Sequence, residues 1–245
     1  MKIVAHRGES QSYPENTMAA FRAAVKSGAA CIETDIHLTA DKQLVCFHDH
    51  DLVRLCNRTD TIESMTAAQL TQCDVGSWKG KEFLGETIPL IDDLFSITYG
   101  GEYFLEIKCG KEAVSLLRDR VRARAISEER ITIISFYDGV IAEVKSMWPN
   151  VRTQLLIDTR LYRDAYKKTF DSICERVALC RADGVGLSYQ PGQHHTLLRN
   201  CKKCGLIVNV WTIDDVEIAQ NLADSGIDYL TPNSAGVMQS SLTLR

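Results

Sequence analysis

The chain has 245 residues, 45% apolar, 24% charged and 7% aromatic, enough for a hydrophobic core in one large domain or two small ones. Fifteen Gly and five Pro exclude collagen-like or Pro-rich disorder. With 28 Lys+Arg against 32 Asp+Glu the net charge is −4 and no basic run occurs, which argues against a nucleic-acid partner held by phosphate neutralisation. Small anionic substrates stay compatible, because they need only local positive charge.

The N-terminus reads Met1-Lys2-Ile3-Val4-Ala5-His6 and turns polar at once. No apolar stretch is long enough for a signal peptide or a membrane span. The expectation is a cytoplasmic protein without stable membrane insertion. Its nine cysteines then read as free thiols in a reducing compartment. Cys31, Cys46 and Cys109 lie in apolar runs, where Cys packs as a small hydrophobe. Cys201-Lys-Lys-Cys204 has zinc-like spacing but lacks a second pair to complete four ligands.

Strand-like apolar runs alternate with helix-period stretches along the whole chain. The strands are expected at Ile3–His6, Cys31–Ile36, Tyr103–Lys108, Ile131–Ser135, Arg152–Ile157, Gly184–Ser188, Leu206–Trp211 and Ile227–Thr231. Between them, helices are expected at Thr17–Ser27, Glu112–Ala125, Gly139–Met147, Leu161–Leu179, His194–Cys201 and Asp214–Ser225. Gly28, Gly205 and Gly226 stand where helices should stop. The alternation predicts a closed parallel (β/α)₈ TIM barrel occupying residues 1–245 as a single domain. An open doubly wound sheet is the alternative, but no G-x-G-x-x-G follows the first strand.

One segment breaks the rhythm. Gln43–Phe47 alternates after Ala40-Asp41-Lys42, as a hairpin extending the second strand would. Residues 49–98 follow as an insertion on the C-terminal face, with short helical stretches at Thr66–Leu70 and Leu90–Ile97. Its Trp78 and Phe83 suit either a lid or, preferably, a small satellite core.

Strand alternation puts Glu33 and Asp35 on one face and Ile32, Thr34 and Ile36 on the other. The same arithmetic pairs Glu106 with Lys108. Two carboxylates on one face of an apolar strand repel unless positive charge lies between them. Three of them with no soft ligand describe a site for a hard cation, Mg²⁺ or Ca²⁺; an ion-pair network with Lys108 and Arg7 is the other reading. His6-Arg7-Gly8 ends the first strand and His48-Asp49 ends the hairpin. A guanidinium suits phosphate oxygens, and two rim imidazoles beside a cation site are the parts of metal-assisted phosphate-ester cleavage. His48-x-His50 as a zinc pair lacks a further His nearby, and His37, His194 and His195 read as surface residues.

Two longer motifs carry a family resemblance. His6-Arg7-Gly8 followed by Pro14-Glu15-Asn16-Thr17, and Glu33-Thr34-Asp35 followed by Thr39, Asp41, Val45 and His48-Asp49, resemble the signatures of the glycerophosphodiester phosphodiesterase family. Weaker echoes are Arg58-Thr59, Ile88-Pro89, Glu106-Ile107-Lys108, Ser135-Phe136 and Asn209-Val210-Trp211-Thr212. The resemblance implies one divalent cation at Glu33, Asp35 and Glu106 and acid–base catalysis by His6 and His48. It implies phosphate contacts from Arg7 and Lys108, with Trp211 as a wall of the substrate pocket. Asn16 is expected to cap the first helix while ordering the loop that holds His6. Two departures stand out: Leu230-Thr231-Pro232-Asn233 lacks the usual acidic residue after the Thr, and the usual Thr between Pro89 and Leu90 is absent. Neither falls on a position assigned to metal or proton transfer.

The function expected on these grounds is cleavage of a small-molecule glycerophosphodiester to sn-glycerol 3-phosphate and an alcohol. The rivals are a related barrel phospholipase acting on lipid headgroups, which needs an apolar docking rim, and a non-catalytic phosphodiester-binding barrel, which would lack a catalytic His or a metal carboxylate.

Overall fold

Eight parallel strands close on themselves in the computed structural model, which describes residues 1–162, 166–191 and 194–243. With a ninth, short and antiparallel strand, β3, outside the ring, the strands are β1 (Lys2–Ala5), β2 (Cys31–Leu38), β3 (Leu44–Cys46), β4 (Glu102–Ile107), β5 (Ile131–Ser135), β6 (Arg152–Ile157), β7 (Gly184–Ser188), β8 (Ile207–Trp211) and β9 (Tyr229–Thr231). Neighbours around the barrel run β1-β2-β4-β5-β6-β7-β8-β9 and back to β1. This is a (β/α)₈ barrel. As the hairpin pattern predicts, β3 runs antiparallel to β2, with Ile36 opposite Cys46.

Ten helices fill the connections of the described chain: α1 (Met18–Lys26), α2 (Val53–Cys56), α3 (Ala67–Leu70), α4 (Ile91–Phe95), α5 (Glu112–Ala123), α6 (Asp138–Met147), α7 (Tyr166–Cys180), α8 (His194–Lys203), α9 (Val216–Asp224) and α10 (Ala235–Thr243). Residues 163–165 of the helix expected at Leu161–Leu179 lie outside the described residues. The sequence pattern did not indicate α10, whose Gly236, Ser240 and Ser241 blur the apolar period. It forms because Ala235 and Met238 bury completely in the core shared with β1.

Alternation divides the side chains into two cores. Outward residues such as Ile32, Ile36, Leu105 and Ile133 pack under helix residues such as Phe21, Val144 and Leu222. Inward residues Val4, Cys31, Phe104, Ile134, Leu156 and Tyr229 fill the barrel itself. At its N-terminal end Arg152 Nη1 donates to Glu102 Oε2 at 3.0 Å and to Tyr229 Oη at 2.9 Å. That end is plugged, which leaves the C-terminal mouth for a ligand.

The insertion has its own core of Val45, Phe47, Leu52, Leu55, Ile62, Met65, Leu70, Cys73, Val75 and Ile88. Trp78 and Phe83 are not part of it. Trp78 is 44% exposed, and Phe83 packs on Tyr13 with ring centroids 5.5 Å apart. Their glycine-rich surroundings turn the chain around Asp74, whose carboxylate accepts from the backbone N–H groups of Gly76, Ser77 and Gly85. All nine cysteines are free, with Cys31 and Cys46 buried, Cys109 half-buried and Cys204 exposed.

Candidate active site

Glu33 and Asp35 point into the barrel mouth from β2, and Glu106 sits beside Asp35 in the register of β4. All three are buried, and one carboxylate oxygen of each lies within 4.8 Å of the others. The charges around them are uneven. Arg7 Nε lies 3.3 Å from Asp35 Oδ2, and Lys108 Nζ lies 3.4 Å from Asp35 Oδ1 and 3.0 Å from Glu106 Oε1. Glu33 has no such ion pair among the described residues and accepts the Arg7 backbone N–H at 2.8 Å.

Burial, then the Asp35 charge, pushes the Glu33 carboxyl well above the ordinary carboxylate range, and the same causes raise Glu106. Burial acts on Asp35 in the same sense, yet Arg7 and Lys108 hold it well below that range. The ion pairs foreseen as an alternative therefore exist, but they leave three converging carboxylates short of positive charge. Hard oxygen donors in that deficit fit a divalent cation.

The loop after β1 brings in the next groups. Arg7 has φ 55° and Gly8 φ 80°; a Cβ on Gly8 would also lie 2.6 Å from the Ala20 carbonyl carbon, so only glycine fits. Arg7 Nη1 donates to Glu15 Oε1 at 2.9 Å. From the hairpin, His48 Nδ1 meets Asp49 Oδ1 at 2.8 Å, Asp49 Oδ2 takes Arg54 Nε at 2.6 Å, and Arg54 Nη2 reaches Glu15 Oε1 at 2.7 Å. A continuous run of alternating charges thus joins the His48 loop to the Arg7 loop. Burial, reinforced by Arg7, pulls the His6 imidazole down to about 4, and burial also lowers His48.

Two secondary expectations change. Thr17 caps α1 by accepting Ala20 N; Asn16 instead donates to Asp35 Oδ2 at 2.8 Å and orients it. Asn16 also orders the His6 loop as expected, through its N–H to the Arg7 carbonyl at 3.1 Å. His37 is a buried residue, not a surface one, and its Nε2 lies 3.2 Å from the His48 carbonyl, behind the hairpin end. β2 runs on to Leu38, so His37 is covered by the loop it supports. His195 is exposed, and the His194 side chain lies outside the described residues.

A cavity of about 300 Å³ opens at this end, lined by His6, Arg7, Glu33, His48, Glu106, Lys108 and Trp211. Asp35, the remaining predicted site residue, lies directly behind them. Ile134, Phe136, Leu156, Arg160, Asn209 and Thr231 complete the lining. Phe136 meets Trp211 edge-on at 5.8 Å. Gly186 leaves room there, since a Cβ would lie 2.6 Å from Leu156 Cδ2. Ile134 and Leu156 were available from inward alternation on β5 and β6. Asp49 stood in the His48-Asp49 motif, but Arg54 and Asn233 were not available: they act across loops that the sequence does not pair. Asn233 belongs to the divergent Thr231-Pro232-Asn233 end, and its Oδ1 lies 2.7 Å from His6 Nδ1. That divergence therefore does bear on a position assigned to proton transfer.

Such a mouth defines a (β/α)₈ barrel whose carboxylate cluster suits a cation and whose guanidinium and ammonium suit an anion. The chain belongs to the glycerophosphoryl diester phosphodiesterase family, whose profile matches residues 6–236. It is 30% identical over 232 residues to a glycerophosphodiester phosphodiesterase of Caldanaerobacter subterraneus subsp. tengcongensis, covering 92% of this chain and 91% of the relative. Among solved structures it resembles an Oleispira antarctica phosphodiesterase in complex with its product sn-glycerol-3-phosphate (TM-score 0.87, 25% identity, 99% of this chain and 97% of the other). It also resembles a glycerophosphodiester phosphodiesterase of Thermotoga maritima (TM-score 0.77, 25% identity, 100% and 98%).

Proposed function

We propose that this protein hydrolyses glycerophosphodiesters to sn-glycerol 3-phosphate and an alcohol. Glu33, Asp35 and Glu106 hold one divalent cation, Mg²⁺ or Ca²⁺, and His6 and His48 move the protons. One observation carries this reading: acidic cluster, two imidazoles, Arg7 and Lys108 converge on a single cavity large enough for a small phosphodiester. The product held by the Oleispira neighbour supports the substrate class. Bound there, the cation would supply charge neutralisation at the phosphate oxygens.

Arg7 and Lys108 bind and orient the phosphate, and Trp211 forms a wall for the organic part. Both histidines are tied through Nδ1, which leaves each Nε2 to meet substrate. One imidazole takes a proton from the nucleophile while the other gives one to the leaving alcohol. The hydroxyl next to the ester oxygen is a nucleophile already in place, with an effective molarity on the order of 10⁵ M or more when well oriented. A cyclic glycerol phosphate then forms first and is opened by water with the roles exchanged.

No helix among the described residues is long and apolar enough to cross a membrane. The free cysteines support a reducing, cytoplasmic setting. The test is release of sn-glycerol 3-phosphate from a panel of glycerophosphodiesters, with and without EDTA. Chelation should abolish release and added Mg²⁺ or Ca²⁺ restore it; undiminished release from exhaustively chelated protein would refute the cation. A propane-1,3-diol phosphodiester, lacking the vicinal hydroxyl, should bind yet resist cleavage, and its ready turnover would exclude the cyclic route.

A further inference from the structure

A neutral imidazole carries its proton on Nδ1 or on Nε2, and only the bare nitrogen can accept another. For His6 the choice is made outside the ring. Its Nδ1 lies 2.7 Å from the side-chain amide of Asn233, which could present either its oxygen or its NH₂ there. Asp214 removes that freedom. A carboxylate only accepts, and Asp214 Oδ2 lies 2.7 Å from Asn233 Nδ2, so the NH₂ must face Asp214 and the oxygen must face His6. Asp214 is itself held by the N–H of Asn233 at 2.7 Å and by the N–H and hydroxyl of Ser234 at 3.1 and 3.2 Å. Ser10 Oγ, bonded to the His6 carbonyl at 2.7 Å, steadies the same segment from the other side.

We propose that Asp214 and Asn233 are positioning residues that lock the His6 tautomer, keeping its proton on Nδ1 and its Nε2 bare toward the cavity. The two imidazoles of the site are then held by different means. His48 faces the Asp49 carboxylate directly, which offsets part of the lowering that burial imposes on that ring. His6 faces a neutral amide, which sets the tautomer and adds no charge beside the ring, while the orienting carboxylate stands one residue further out. The catalytic consequence of the lock rests on the acid–base role proposed for His6; the lock itself does not.

The experiment separates the two. In full-length protein carrying ¹⁵N-histidine, long-range ¹H–¹⁵N correlation spectra at neutral pH report which ring nitrogen is protonated, and His6→Ala identifies the His6 signals among the six histidines. Wild-type His6 should show a protonated Nδ1 and a bare Nε2; the opposite pattern overturns the proposal without any variant. Asp214→Asn is isosteric but lets both amides turn over, and Asn233→Leu removes the acceptor. Each should give a mixed tautomer, with kcat lowered roughly 10–100-fold and KM changed far less. Unchanged signals from the other histidines certify folding. A pure Nδ1–H tautomer with undiminished kcat in both variants would overturn the lock. Full activity in His6→Ala would instead refute the acid–base reading, and the spectra would still judge the lock.

Discussion

Replacing Glu33 by Gln separates the two ways in which the acidic cluster can be neutralised. Two unit charges no more than 4.8 Å apart repel by about 3 kcal/mol or more at an effective dielectric of 20. Glu33 relieves part of this in the ion-free protein because burial and Asp35 hold its carboxyl toward the protonated form. The net gain from Glu33→Gln under chelation is then about 1–2 kcal/mol, a rise in Tm of roughly 2–8 °C for a chain of this size. Cation at a hundred times its Kd should stabilise the wild type by about 2.7 kcal/mol, or roughly 5–10 °C, and do little for the variant. The order of stability therefore reverses: the variant melts higher in EDTA and the wild type melts higher in saturating Mg²⁺ or Ca²⁺. Thermal unfolding followed by circular dichroism reads this without any activity assay. A variant that melts lower than wild type in EDTA, or that keeps the full cation shift, would refute the reasoning.

Three further outcomes follow from the same geometry. His6 is lowered to about 4 and His48 is lowered as well, so these two rings bind fewer protons in the folded protein than in the unfolded chain. Their contribution to stability is present above the ordinary imidazole value and lost as pH falls toward the folded values; with cation saturating, so that the raised Glu33 and Glu106 carboxyls are held ionised, the acid limb of kcat/KM should likewise lie below pH 6.5, and a limb above it would contradict the burial argument for the imidazoles. His6→Ala and His48→Ala should each lower kcat by on the order of 10²–10⁴, and only the one lacking the general acid should recover with a nitrophenyl phosphodiester; equal losses on both substrates would show that the histidines bind rather than transfer protons. Arg54→Ala removes the link between Asp49 and Glu15, leaving them only His48 and Arg7, and should lower kcat roughly tenfold while costing about 1 kcal/mol or less in stability, because its ion pairs are partly exposed; unchanged kinetics would show that the charge chain does not steady His48.

What could be read from the chain alone was what depends on neighbours in sequence. A period of two places Glu33 and Asp35 on one face whatever the rest of the fold does, and the alternation of eight strand-like runs with helical ones favours a closed parallel barrel over an open doubly wound sheet. The same local rules located His6, His48 and Glu106 at strand or hairpin ends, where a barrel gathers its functional groups. They failed where a contact joins distant segments. Trp78 has the composition of a core residue but lies in a turn organised by Asp74, so it remains exposed. His37 looks like a surface residue until the hairpin end folds over it. Asn233 lies 227 positions from His6, and no periodicity connects them; closure of β9 against β1 brings them together. Sequence thus determined which side chains face the mouth, because backbone geometry sets that residue by residue. Only the tertiary structure decided which partner holds each of them, because hydrogen bonds and charge pairs depend on distances in space that loops, not periods, create.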